Sequence, residues 1–180
     1  MVYKSEAMEK SAAMQVAGLM AVAARTAPKA CGMDMIETLV LDGEDKDKLT
    51  STMREIGDER GSQFFIRDAD SVDNCQCIII IGAYLRPRNL NCAYCGFETC
   101  AAAVKGGFPC AMSVNDLGIA VGSAAATAMD HRIDNRILNT AGMAAMRLKL
   151  FSADVKMCFG IGLATKGKNV FFDRPAVVKR

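Results

Sequence analysis

No tryptophan occurs in this chain, histidine occurs once, and aromatic side chains make up 6% of its 180 residues. Platforms that stack nucleobases need aromatic faces in number, which argues against a single-strand binder. Charge points the same way. Against 22 basic residues stand 20 acidic ones, leaving a net +2 and no case for a concentrated basic face. We therefore expect no nucleic-acid partner. Long apolar runs are also missing. The longest uncharged stretch, Ser11 to Ala24, has 14 residues, a length typical of a buried core helix and short for a membrane span. Nothing directs export: Glu6 and Glu9 stand where a leader would be basic, and no small-residue cleavage site follows. Repeats, low-complexity linkers and Gly-rich phosphate loops are lacking too, since Gly160-x-Gly162 wants a third glycine.

What is present is apolar and rich in sulfur. Hydrophobic residues are 51% of the chain, which excludes global disorder and predicts one folded domain over residues 1–180. Twelve methionines and eight cysteines form a soft, oxidisable interior, suited to a reducing cytoplasm. Four of the thiols fall in 19 residues, at Cys92, Cys95, Cys100 and Cys110, with spacing C-x2-C-x4-C-x9-C. Thiolates are soft ligands for iron–sulfur clusters and zinc, which spacing helps to separate. Structural zinc usually takes two short knuckles set well apart, or one knuckle and a histidine pair. Here three cysteines crowd into nine residues and the fourth is remote, the arrangement a compact cluster asks of one tight loop. Gly96 lets the backbone pass close to inorganic sulfide. We read these four as ligands of a [4Fe-4S] cluster, with zinc as the alternative metal. Tyr94 and Phe97, between the ligands, are expected to shield it. Cys31, Cys75, Cys77 and Cys158 lie in apolar stretches and read as buried small hydrophobes.

Helices and strands alternate along the chain. Residues 5–26 predict an amphipathic helix, with Ser5 as N-cap and Met8, Ala12, Val16, Leu19, Met20 and Ala23 facing the core. Ile36 to Leu41 alternates like a strand, and Leu49, Met53 and Ile56 mark a helix between Asp45 and Arg60. Cys77 to Ile81 is an unbroken apolar run, the signature of a central strand covered on both faces. Residues 84–112 then form the cysteine-rich, cluster-binding segment, with a short helix after Thr99. Asp116 to Met129 reads as a helix with a ridge of small residues, Gly118, Gly122 and Ala126. That ridge suits a tight crossing inside the subunit or a dimer axis. A helix from Thr140 to Leu150, a strand from Val155 to Gly162 and a turn with a short arm over Lys166 to Pro175 complete the chain.

Several of these segments carry a resemblance. Ala24-Arg25-Thr26-Ala27-Pro28-Lys29, the Cys92 to Cys110 motif, Asp116-Leu117-Gly118-Ile119-Ala120, Asp134-Asn135-Arg136 and Gly167 to Arg174 together resemble a family of bacterial and archaeal ferredoxin-domain-containing proteins. More distantly, a helix ending in Ala-Ala-Arg-Thr-Ala-Pro and followed by a strand is similar to the opening of the nitroreductase family. That resemblance implies an α+β fold, a sheet flanked by helices, and an intertwined homodimer. It also implies a flavin mononucleotide (FMN) beside the turn, where Arg25 and Lys29 could meet the phosphate. The chain departs from that family in its first ten residues, where Lys4 and Lys10 replace an arginine-rich phosphate grip, and after the turn at Ala30 to Asp34. Two cations are a thin set for a dianionic phosphate, so the isolated protein is expected to lack tightly bound flavin unless Arg174 folds back as a third. His131, within Asp130-His131-Arg132, reads as part of an exposed helix end. The expected function is electron transfer between the cluster and an unknown redox partner. A cluster-fed flavin reductase and a module with a merely structural metal are the rivals.

Overall fold

A computed structural model describes residues 1–172. Four strands form one antiparallel sheet in the order β1 (Ile36–Leu41), β2 (Cys77–Tyr84), β4 (Val155–Ala164), β3 (Asp134–Leu138). Every pairing is antiparallel, with Ile80 opposite Leu39 on one side and Gly160 on the other. The α+β expectation holds.

The central run behaves as its composition dictates. Ile78, Ile79, Ile80 and Ile81 are all fully buried, and each contributes about 1.5–3 kcal/mol of apolar burial. Strand side chains alternate, so Ile79 and Ile81 face α1 (Ser5–Thr26) and α5 (Ala111–Asp130). Ile78 and Ile80 face α2 (Gly43–Arg60), α3 (Gln63–Asp73) and α6 (Asn139–Arg147). Helices thus cover both faces of the sheet. A short α4 (Cys100–Lys105) lies in the cysteine-rich segment. Among the described residues no helix is long and apolar enough to cross a membrane.

Two expectations about α1 need correction. Lys4, not Ser5, occupies the N-cap position, and no side chain caps the helix there. The buried stripe is Ala13, Val16, Ala17, Met20 and Ala24, while Met8 and Leu19 are exposed. α1 packs along α5, whose own buried face is Leu117, Ala120, Val121, Ala124 and Ala128. Alanines at such a seam let the two backbones approach closely, which displaces the larger side chains outward. The Gly118/Gly122/Ala126 ridge lies on the opposite, exposed side of α5, and a Cβ built on either glycine meets nothing within 4 Å. Tight packing of the ridge inside the subunit is thereby excluded among the described residues. α6 instead makes a close backbone crossing, with Gly142 against the Cys158 carbonyl of β4. The arm beyond Phe172, with Arg174, lies outside the described residues. Phe171 is buried, beside Cys75 and Ala164.

Candidate metal centre

β2 leaves the sheet at Tyr84, and the chain returns to the core at α5, with Cys110 as its N-cap residue. The exit and the return are stitched together. The Cys110 amide donates to the Leu85 carbonyl at 3.3 Å, and the Ser113 hydroxyl donates to the Arg86 carbonyl at 2.6 Å. Between them the cysteine loop adopts a sequence of left-handed residues: Asn89 (φ 56°), Asn91 (φ 47°), Ala93 (φ 59°), Gly96 (φ 85°) and Gly107 (φ 75°). Asparagine and glycine tolerate that region, whereas alanine there is strained by about 1–2 kcal/mol. Positive φ alternates over Asn89, Asn91 and Ala93, as it does in the backbone nests that bind anions and iron–sulfur clusters. The loop is further tied by the Cys100 amide, which donates to Asn91 Oδ1 at 2.8 Å. Thr99 caps α4 by accepting from the Ala102 amide at 3.2 Å.

Cys92, Cys95, Cys100 and Cys110 all line one cavity of about 180 Å³. Its remaining wall is largely apolar and includes Leu85, Ala103 and Phe97, which packs on Phe108 with ring centroids 4.9 Å apart. Phe97 lines the cavity. Tyr94 does not; it is 77% exposed, whereas Phe108, 55% exposed, contributes to the cavity wall. All four thiols lie on the walls of this one chamber, which makes it the candidate metal centre.

The other thiols are chemically distinct. Burial pushes Cys75, Cys77 and Cys158 up to about 12, so they stay protonated and inert. For Cys110, burial also acts upward, but the amides of Ser113 and Arg88, the Ser113 hydroxyl and the Met112 amide outweigh it. The thiol is held below its ordinary value, favouring the thiolate a metal needs.

Arg25 and Lys29 are brought together at Asp34. Arg25 pairs with Asp34 and donates to the Ile36 carbonyl at 2.8 Å. The Lys29 amine is buried and donates to the Ala24 and Arg25 carbonyls, each at 2.6 Å, capping α1. His131 is the exposed C-cap residue of α5. A residue pair beyond the reach of sequence spacing is Arg88 with Asp116, both buried, joined at 2.8 Å.

Comparison with known proteins finds relatives of the chain at the level of sequence and of fold. A family described as "Uncharacterized protein containing a ferredoxin domain" (DUF2148) matches residues 106–174. An uncharacterized protein of Archaeoglobus fulgidus is 42% identical over 175 residues, covering 92% of this chain and 94% of that one. The chain belongs to this ferredoxin-domain family. Among solved structures, an FMN-containing oxidoreductase superimposes with a TM-score of 0.59 at 15% identity, over 86% of this chain and 67% of the other. A nitroreductase from Desulfovibrio desulfuricans, in complex with FMN, gives 0.56 at 14%, over 92% and 78%. At such identities the likeness establishes the fold, so this ferredoxin-domain protein has a nitroreductase-like fold. The cations expected to meet a flavin phosphate, Arg25 and Lys29, bind Asp34 and main-chain carbonyls.

Proposed function

We propose that the protein is an electron carrier holding a [4Fe-4S] cluster on Cys92, Cys95, Cys100 and Cys110. The observation that carries this reading is the lining of one cavity by all four thiols, in a loop of repeated left-handed residues. The cluster, when bound, supplies one-electron transfer at low potential. The chain's own groups would hold it: the amides around Cys110 stabilise that thiolate, and Phe97 and Phe108 limit water at the sulfurs. In this reading residues 1–180 form one scaffold and 84–112 its cluster-binding segment, working in a reducing cytoplasm with a redox partner.

A second reading is a flavin reductase fed by the cluster, favoured by the FMN in the matched structures. A structural metal, zinc or cluster, is the third. Anaerobic purification, a visible spectrum and metal analysis separate them. Broad absorption bleached by dithionite, with iron and sulfide near four each per chain, supports the carrier. Resolved flavin bands at about one per chain would replace it with the reductase, and colourless protein with zinc would replace it with the staple.

A further inference from the structure

A second cavity, of about 440 Å³, opens where α6 ends and β4 begins, with Met146, Phe151 and Val155 on its wall. Val155 pairs with Tyr84, so the cavity lies at the end of the sheet from which the cysteine segment leaves. It lies on the opposite face. Leu85, on the wall of the metal chamber, packs with the α1 and α5 core, whereas Met146 and Phe151 pack with the core under α2, α3 and α6. The two cavities share no lining residue. Gly82 of β2 makes room for the apolar wall. A Cβ there would lie 2.7 Å from Val155 Cγ1 and 3.4 Å from Phe151 Cζ.

The charge on this cavity has one sign. Lys149 and Lys156 both line it, and among the described residues no carboxylate does. The Lys156 amine is fixed at the wall, donating at 2.8 Å to the carbonyl of Ala153, itself a lining residue. Neither lysine forms an ion pair among the described residues. The carboxylates tied to the same loop are already engaged. Glu37 accepts from the hydroxyls of Ser152 and Tyr84, and Asp154 pairs with Arg86 at 2.6 Å. Small-molecule sites commonly measure about 300–1,000 Å³ and combine an apolar wall with a few placed polar groups.

We propose that this cavity binds a small organic anion, a carboxylate carried on a compact apolar body such as a single ring. The apolar body rests on Met146, Phe151 and Val155, and the carboxylate meets Lys149 and Lys156. An inorganic anion would gain nothing from the apolar wall, and a neutral ligand nothing from the lysines. The proposal stands apart from the metal reading, since no cysteine takes part in it.

The test titrates the intact, nitrogen-15-labelled protein with phenylacetate, with its neutral amide phenylacetamide, and with acetate, which lacks the ring. Amide shifts for phenylacetate should saturate in the millimolar range or below and centre on residues 146–156. Phenylacetamide and acetate should each bind at least about tenfold more weakly. Added salt should weaken phenylacetate and leave phenylacetamide unmoved, because the lysines are open to screening. Lys149→Gln/Lys156→Gln should cost phenylacetate about tenfold or more, with an unchanged melting temperature and unchanged affinity for the amide. Ala153→Trp, at an exposed wall position, should obstruct the cavity and abolish binding of both. Shifts that do not saturate or that centre elsewhere would overturn the proposal. So would equal affinity for acid and amide, or phenylacetate binding unaltered in the double lysine variant. Metal analysis of the same sample judges the cluster reading separately, as protein without iron should bind phenylacetate equally well.

Discussion

The main-chain N–H of Cys100 donates to Oδ1 of Asn91 at 2.8 Å, closing the cysteine loop across nine residues. Asn91 sits at φ 47° and so serves twice, adopting the left-handed turn and supplying the acceptor. Asn91→Gly keeps the turn and deletes the acceptor, a loss of about 0.5–1.5 kcal/mol. Asn91→Ala adds backbone strain of about 1–2 kcal/mol. Iron retention under chelator challenge should therefore fall in the order wild type, Asn91→Gly, Asn91→Ala. A reversed order would show that the hydrogen bond does not hold the loop.

Replacing any of Cys92, Cys95, Cys100 or Cys110 by Ser exchanges a soft ligand for a hard one, and iron content should collapse in each variant. Cys75, Cys77 and Cys158, protonated and buried, should tolerate Ala singly with iron retained, as should the exposed Cys31. Loss of iron in Cys77→Ala with iron kept in Cys110→Ser would refute the ligand set.

The elements that sequence revealed are those whose burial follows one periodicity. Cys77 to Ile81 read as a central strand because both faces are covered, and α1 ends near Pro28 as proline requires. β3 went unseen because an edge strand of Asp134, Asn135 and Arg136 buries little and so carries no apolar pattern. α3 did leave a trace, with Phe65, Ala69 and Val72 at helical spacing, but its charged neighbours diluted it. The stripe on α1 misled because close helix packing selects alanine, which hydrophobic ranking undervalues. At the metal centre the cysteine spacing was legible. Phe108 and the Arg88–Asp116 pair were not, since partners 28 residues apart in a loop obey no period.

Gly142 carries a tight crossing of α6 over β4. A Cβ placed there would lie 2.0 Å from the Cys158 carbonyl oxygen and 2.7 Å from its carbon, both backbone atoms that cannot rotate away. Gly142→Ala must push α6 off β4, an overpacking cost of about 1–3 kcal/mol or more. Thermal unfolding should show a melting temperature lowered by at least several degrees. An unchanged value would mean that α6 does not sit on β4 as described.

The Glu37 carboxylate ties β1 to the loop after α6. It accepts from the hydroxyls of Ser152 and Tyr84 and from the Ser152 amide at 3.3 Å. The Ser152 and Tyr84 hydroxyls outweigh burial and hold its carboxyl below the ordinary glutamate value. A native pKa below the unfolded one contributes stability that is complete above the unfolded value, about 4.3. That stability is lost as pH falls through the native value. Melting temperatures of wild type and Glu37→Gln should therefore differ at neutral pH and converge as the solution is acidified through the carboxylate range. A gap that stays constant or widens on acidification would contradict this role.

The exposed ridge on α5 makes the last prediction. Gly118, Gly122 and Ala126 recur every four residues on a face that no described residue covers, flanked by Ile119 and Met129, which are 37% and 63% exposed. Glycine inside a helix costs about 1 kcal/mol relative to alanine, and the fold of one chain offers no reason for it here. A second copy of the chain would supply a reason, since small residues let two helices approach across a two-fold axis. Beside α5, α1 exposes Leu19 and Val22, which such a partner would also cover. Gly122→Leu should then force the subunits apart, weakening association by roughly 1–3 kcal/mol, or about 5- to 150-fold. Because the open ridge leaves room for leucine in the single chain, circular dichroism and iron content should stay near wild type. Light scattering across a dilution series would show a dimer giving way to a monomer in the variant at concentrations where wild type stays paired. A wild type that is monomeric at micromolar concentration, or a variant that dimerises equally well, would leave the ridge without this function.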